Sequence, residues 1–244
     1  DNAVAAMRAA GLVFTGKTNT PEFGFPNYTE PEIAPPARTP WDLTRSAAGS
    51  SGGAAAAVAA GLAPIAQGSD GGGSIRLPAS VCGLMGLKPS RGRVSNGPSG
   101  YGVGDLVVIG PLARTVRDAA ALLDVQAASF VGDPFRAPSP DDTFLSAAGA
   151  DPGRLRIGVF TTPVVAEVDP SPEVLVAVAD TVELLLELGH EVVEIPAPIP
   201  TSAVAEFEVV WASLADSLPL PPEVEQQLRP LTAMLRERAR RVPS

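Results

Sequence analysis

Apolar positions along this 244-residue chain fall into short blocks whose spacing alternates between helical and extended periods. Residues 1–10 (DNAVAAMRAA) space Ala and Met for burial on a helix, and Gly11 supplies the stop. Leu12–Thr15 is an apolar run of strand length. From Asn19 to Ala47 the pattern dissolves, and Pro21, Pro26, Pro31, Pro35, Pro36 and Pro40 exclude a long helix. So long an irregular stretch is expected to be functional or to pack as a wall. Gly52–Leu62 predicts a helix of small residues, able to lie close against a neighbour. Pro64–Gly68 follows as a buried strand, then a short helix over Ile75–Cys82, a strand at Leu106–Ile109 and a helix over Thr115–Ala127. Pro134–Asp142 reads as a linker, so a subdomain boundary is expected there. Beyond it, strand Leu155–Phe160, helix Pro172–Leu188 and strand Glu191–Ile195 form a β-α-β succession, which implies parallel pairing through a crossover helix. Ser202–Arg241 predicts two or three further helices.

Composition narrows the class. Hydrophobic residues make up 45% and charged residues 18%, which describes a globular chain with a sizeable core. The net charge of −9 argues against nucleic acid or an anionic membrane as partner, since either calls for a basic face. The most apolar stretch, Ala54–Ala66, is short and interrupted by Gly61 and Pro64, below the roughly 18 residues a membrane span needs. A single cysteine, Cys82, leaves no internal disulfide framework and fits a reducing, cytoplasmic setting.

Candidate chemistry concentrates between Gly49 and Pro78. Two Gly/Ser clusters, Gly49-Ser50-Ser51-Gly52-Gly53 and Asp70-Gly71-Gly72-Gly73-Ser74, flank the Ala-rich segment. Consecutive glycines let backbone N–H groups approach another molecule closely, so Ser74 stands beside donors suited to an anion or oxyanion. Two flexible loops around a small helix are the competing reading. Gly11–Thr18 matches the phosphate-loop pattern GxxxxGK[ST], but a helix precedes it, Leu12-Val13-Phe14 resembles a strand, and Pro21 and Pro26 oppose a helix after it. Nucleotide binding therefore ranks below the other readings. The only histidine, His190, sits at a helix-to-strand turn, and no Cys/His cluster suggests a metal, so no cofactor and no metal are expected. What remains is serine chemistry with a base other than histidine, which leaves a lysine held neutral by its surroundings.

These residues resemble the amidase signature family of serine hydrolases. The likeness runs through GSSGG, the Ala-rich helix and GSDGGGSIRLP, and extends to GKTNTPEFG (Gly16–Gly24), PWDLTRS (Pro40–Ser46), CGLMGLKPSRGRVS (Cys82–Ser95) and GPLARTVRDAAALLD (Gly110–Asp124). It is strong from Asp1 to about Asp124 and loose afterwards. SDGGGSIR is similar to a subgroup that includes cyclic-dimer nylon-oligomer hydrolases and aryl acylamidases, although so short a match sets no substrate. The resemblance implies amide hydrolysis by a Ser–cisSer–Lys triad, with Ser74 the nucleophile and Ser50, after a cis peptide from Gly49, the proton relay. It implies that the N–H groups of Gly71, Gly72, Gly73 and Ser74 bind the oxyanion, while Ser51, Asp70 and Arg76 fix the two loops. Gly71 stands where Thr or Ile is frequent, which is expected to loosen the oxyanion loop.

The third member of that triad is not among the two lysines present. Lys17 and Lys88 match the family's GKTN and GLKP segments, whereas the resemblance puts the base on a strand that would fall before residue 1. The expected fold is α/β, a mixed and largely parallel central sheet with helices on both faces, here incomplete. Residues 1–133 would form the signature core and 134–244 its C-terminal continuation. The expected partner is a small-molecule amide, with a homodimer left open. A non-catalytic amidase-like fragment or scaffold is the alternative.

Overall fold

In the computed structural model, which describes residues 1–98, 100, 102–128, 130–165 and 168–241, the chain opens with α1 (Asn2–Ala9). Asp1 caps it by accepting the Val4 N–H at 3.2 Å, and Ala3 and Met7 turn inward. Leu12–Thr15 joins no strand, and Val13 is 88% exposed. The irregular stretch is interrupted only by a single 3-10 turn at Glu22–Gly24 and by an antiparallel pair, β1 (Arg38–Thr39) with β2 (Asp42–Ser46). There follow α2 (Gly52–Ala59), β3 (Ile65–Asp70), α3 (Arg76–Cys82), β4 (Met85–Gly86), β5 (Val108–Ala113) and α4 (Val116–Gln126).

Strand β5 is the centre of a three-stranded sheet of order β3-β5-β4, and all six of its residues are buried. Its expected position, Leu106–Ile109, is shifted because Gly110 and Pro111 read as breakers. Gly110 is needed there: a Cβ would lie 2.4 Å from the Leu87 carbonyl oxygen. Ile109 and Leu112, an odd number of residues apart on one strand, point to opposite faces. Leu112 packs with Ala54 and Ala55 of α2 and Ala79 and Cys82 of α3, and Ile109 packs with Ala3 of α1 and Leu123 of α4. Helices thus cover both faces of this sheet.

The mixed α/β class holds, but the sheet at the candidate site is antiparallel in both its pairings. β3 and β4, joined through α3, flank β5, which returns between them after the long segment 87–107 with its 3-10 turn at Val103–Asp105. Parallel pairing is confined, among the described residues, to the predicted β-α-β unit. After α5 (Phe144–Ala147), β6 (Arg156–Val159) pairs in register with β7 (Glu191–Glu194) across α6 (Pro172–Glu187). The tail forms α7 (Ser202–Asp216), α8 (Pro222–Glu225) and α9 (Pro230–Arg240). Ala212 and Ala215 of α7 and Leu235 of α9 close over Phe25, so the C-terminal helices lie against the irregular wall near the chain's start. Among the described residues no helix is long and apolar enough to cross a membrane.

Candidate active site

Ser50 is held by the irregular wall. The Gly49–Ser50 peptide is cis, and the Tyr28 backbone fills the space beside Gly49, where a Cβ would lie 2.7 Å from Tyr28 N. Next to Tyr28, the fully buried Thr29 hydroxyl donates to Ala48 O (2.9 Å) with a longer approach to Ser50 O (3.3 Å), and it accepts the Gly52 N–H (3.2 Å). One side chain therefore ties together both ends of the Ser50 turn and the start of α2. Glycines at 52 and 53 allow this approach, because a Cβ would fall 2.5 Å from Thr29 Oγ1 or 2.4 Å from Asn19 O. Ser50 is 6% exposed, with Gly24 beside its hydroxyl.

The second loop leaves the end of β3, and Asp70 organises it. The Asp70 carboxylate is fully buried and accepts N–H groups from Gly73 (2.7 Å), Ile75 (3.2 Å) and Arg76 (3.4 Å). The Arg76 guanidinium adds a two-point contact, Nε to Oδ2 and Nη2 to Oδ1, each 2.9 Å. Burial alone would push the Asp70 carboxyl up. The Arg76 contact and the Gly73 and Ile75 N–H groups outweigh it, and the carboxyl titrates below its ordinary range. Reciprocally, Asp70 raises the Arg76 guanidinium. Because Gly73 donates to Asp70, it is not available to an oxyanion. Among the described residues the N–H groups of Gly71, Gly72 and Ser74 have no acceptor.

The loops are joined. Ser51 N–H donates to the Ser74 carbonyl at 3.2 Å, and Ser51 Oγ accepts from Ser69 N–H (3.1 Å) while donating to Ser69 O (3.3 Å). Ser50, Ser51, Asp70, Arg76 and the Gly71–Ser74 turn thus form one hydrogen-bonded unit, with Ser74 9% exposed. Two parts of this unit were not foreseen in the sequence. Thr29 is one; the other is a pair of rings on α7, Phe207 and Trp211, lying against Gly72 and Gly71.

Other candidates fall elsewhere. Lys17 is exposed, and Lys88 is exposed with its ammonium donating to Pro89 O (3.0 Å), so neither stands buried as a neutral base. His190 Nδ1 accepts the Leu155 N–H (3.3 Å) where β6 meets β7, the turn role its setting suggested. No helix starts at Lys17, and residues 12–20 have no regular structure, so the strand-loop-helix frame of a phosphate loop is missing. Among the described residues no three His, Cys, Asp or Glu side chains gather as metal ligands would.

With this geometry in view, the family description "Amidase" matches residues 1–231. The chain belongs to the amidase signature family. It is 48% identical over 224 residues to a putative amidase of Synechocystis sp., covering 91% of this chain and 44% of that protein. It superposes on the structure of 6-aminohexanoate cyclic dimer hydrolase complexed with substrate with a TM-score of 0.88 at 38% identity, over 100% of this chain and 53% of that one. A bacterial aryl acylamidase of the same family gives a TM-score of 0.85 at 28% identity, over 99% and 52%. Both subgroup names implied by SDGGGSIR are thus among the family's solved relatives. The chain spans about half the length of the relatives it matches.

Proposed function

We propose that these 244 residues carry the nucleophile half of a serine amidohydrolase, which cleaves a small carboxylic amide through an acyl-enzyme. Ser74 Oγ attacks the amide carbonyl carbon and gives up its proton to Ser50, which passes it to a lysine. The tetrahedral oxygen accepts from the Gly71, Gly72 and Ser74 N–H groups, donors already oriented before charge develops. Ser50 then returns the proton to the leaving amine, and water attacks the ester on Ser74 to release the acid. In this reading Asp70 and Arg76 hold the shape of the turn, and neither takes a proton from substrate.

The observation that carries the proposal is the direct join between the two serine loops, Ser51 N–H to Ser74 O, beside a turn whose Gly71, Gly72 and Ser74 N–H groups have no acceptor among the described residues. The lysine base lies outside these residues, on the strand that the family resemblance puts ahead of residue 1. A fluorophosphonate probe tests the assignment on the full-length protein: wild type is expected to label on Ser74, and Ser74→Ala to lose the label. Labelling that survives Ser74→Ala rejects the nucleophile. Absence of labelling in wild type favours the non-catalytic scaffold.

A further inference from the structure

Phe207 and Trp211 sit one turn apart on α7 and therefore share a face. Their rings stack at 5.4 Å and 21°, and Phe25 meets Trp211 edge-on at 5.3 Å. Ala212 and Ala215, buried against Phe25 and Leu235, fix the rotation of α7, so the ring pair is pressed onto the glycine turn. A Cβ on Gly71 would lie 2.9 Å from Trp211 Cζ3 and 3.0 Å from Val107 Cγ2, and one on Gly72 would lie 3.0 Å from Phe207 Cζ. The rings thus occupy the space that side chains on this turn would take. Among the described residues Phe207 remains 37% exposed.

A carbonyl carbon attacked by Ser74, with its oxygen on the Gly71 and Gly72 N–H groups, has two other substituents. The leaving amine has to face Ser50 to receive its proton, and Ser50 is bounded by Gly24 and Tyr28. The acyl substituent is left to run past the aromatic side of the glycine turn. On that path its first carbon would meet the rings that stand where Cβ atoms on Gly71 and Gly72 would lie. A methylene or a flat aryl carbon can slide along such a wall, but a branched carbon needs volume that the rings fill. We propose that Phe207 and Trp211 are specificity-determining residues for the acyl group, admitting unbranched or planar acyl amides and turning away those branched beside the carbonyl. This deepens the Ser74 reading and rests on it.

The test uses two fluorophosphonate probes on the full-length protein, one with an unbranched alkyl group on phosphorus and one branched at the carbon bonded to it. Wild type is expected to label faster with the unbranched probe. Phe207→Ala and Trp211→Leu are expected to shrink the rate ratio by about tenfold, the scale on which a pocket reads one carbon, while Phe207→Tyr keeps it. A ratio is independent of the fraction of protein correctly folded, and comparison with wild type cancels the probes' intrinsic reactivities. Unchanged ratios in both truncated variants, with Ser74 still labelled, overturn this inference alone. Failure of wild type to label with either probe overturns the Ser74 reading and this inference with it.

Discussion

Replacing Asp70 by Asn is the sharpest perturbation of the site that avoids both serines. The carboxylate is fully buried and receives three backbone N–H groups at 2.7, 3.2 and 3.4 Å, together with the two 2.9 Å contacts from Arg76. Asn keeps the volume but loses the charge, and its NH2 must face donors, leaving at least one N–H without an acceptor. Hydrogen bonds to a buried charge are worth about 1.5–3 kcal/mol each, and an orphaned buried donor costs about 1–3 kcal/mol. The Arg76 side chain is 54% exposed, so solvent screens its share and most of the loss comes from the backbone donors. The sum is a destabilisation of about 3–5 kcal/mol, a large fraction of the stability of an ordinary domain.

Urea denaturation of the full-length protein at neutral pH, followed by far-UV circular dichroism, measures that difference. The pH dependence gives a second handle. Asp70 titrates below its ordinary value of 3.8 when folded, so the folded state binds fewer protons at this carboxyl than the unfolded state does. Its contribution is therefore fully present above about pH 4–5 and is lost as pH falls below 3.8 through the folded value. The gap between wild type and Asp70→Asn should narrow in that window. A difference under about 1 kcal/mol at neutral pH, or a gap that does not change on acidification, would refute the organising role given to Asp70.

Much of this site was legible because its chemistry is written locally. Ser50, Ser74 and the glycines between Asp70 and Ser74 lie in runs whose composition announces close backbone approach, and the structure joins those runs. The partners that hold them are distant in sequence. Thr29 reaches Gly52 across 23 residues, and nothing in NYTE marks one threonine as the tie for a serine turn. Phe207 and Trp211 belong to a helix whose pattern predicts only burial, and contact with Gly71 depends on how α7 rotates against Phe25. Gly73 shows the limit at close range: composition offers its N–H to a ligand, but Asp70, three residues earlier, takes it. Strand β5 failed for a related reason, since Gly110 and Pro111 are breakers in isolation and close-packing residues beside Leu87.

Two further substitutions probe these distant supports. Thr29→Val removes a hydroxyl that serves Ala48 O and Gly52 N–H while keeping the shape, and should cost about 2 kcal/mol and slow Ser74 labelling. Thr29→Ser should retain both properties, and equal behaviour of the two variants would sink the tie. Arg236 is the support for α7 itself. It is 5% exposed and donates from Nη1 to Ala215 O (2.6 Å), a carbonyl in the last turn of α7, and to Leu218 O (3.1 Å) just beyond the helix, which also accepts the Leu220 N–H (2.9 Å). Its Nε also meets Glu225 (3.1 Å), but Glu225 and Asp216 keep Arg240 as an alternative cation. Arg236→Leu therefore loses chiefly the carbonyl contacts and should cost about 2–3 kcal/mol. Arg236→Lys should recover little of it, because one ammonium lacks the planar fork that serves carbonyl and carboxylate together. If those contacts set the rotation of α7, the emission of Trp211, taken as the difference between proteins with and without Trp211→Phe, should shift as the rings lift from Gly71 and Gly72. A stability loss with unchanged Trp211 emission would mean that Phe25 and Leu235 alone hold the aromatic wall in place.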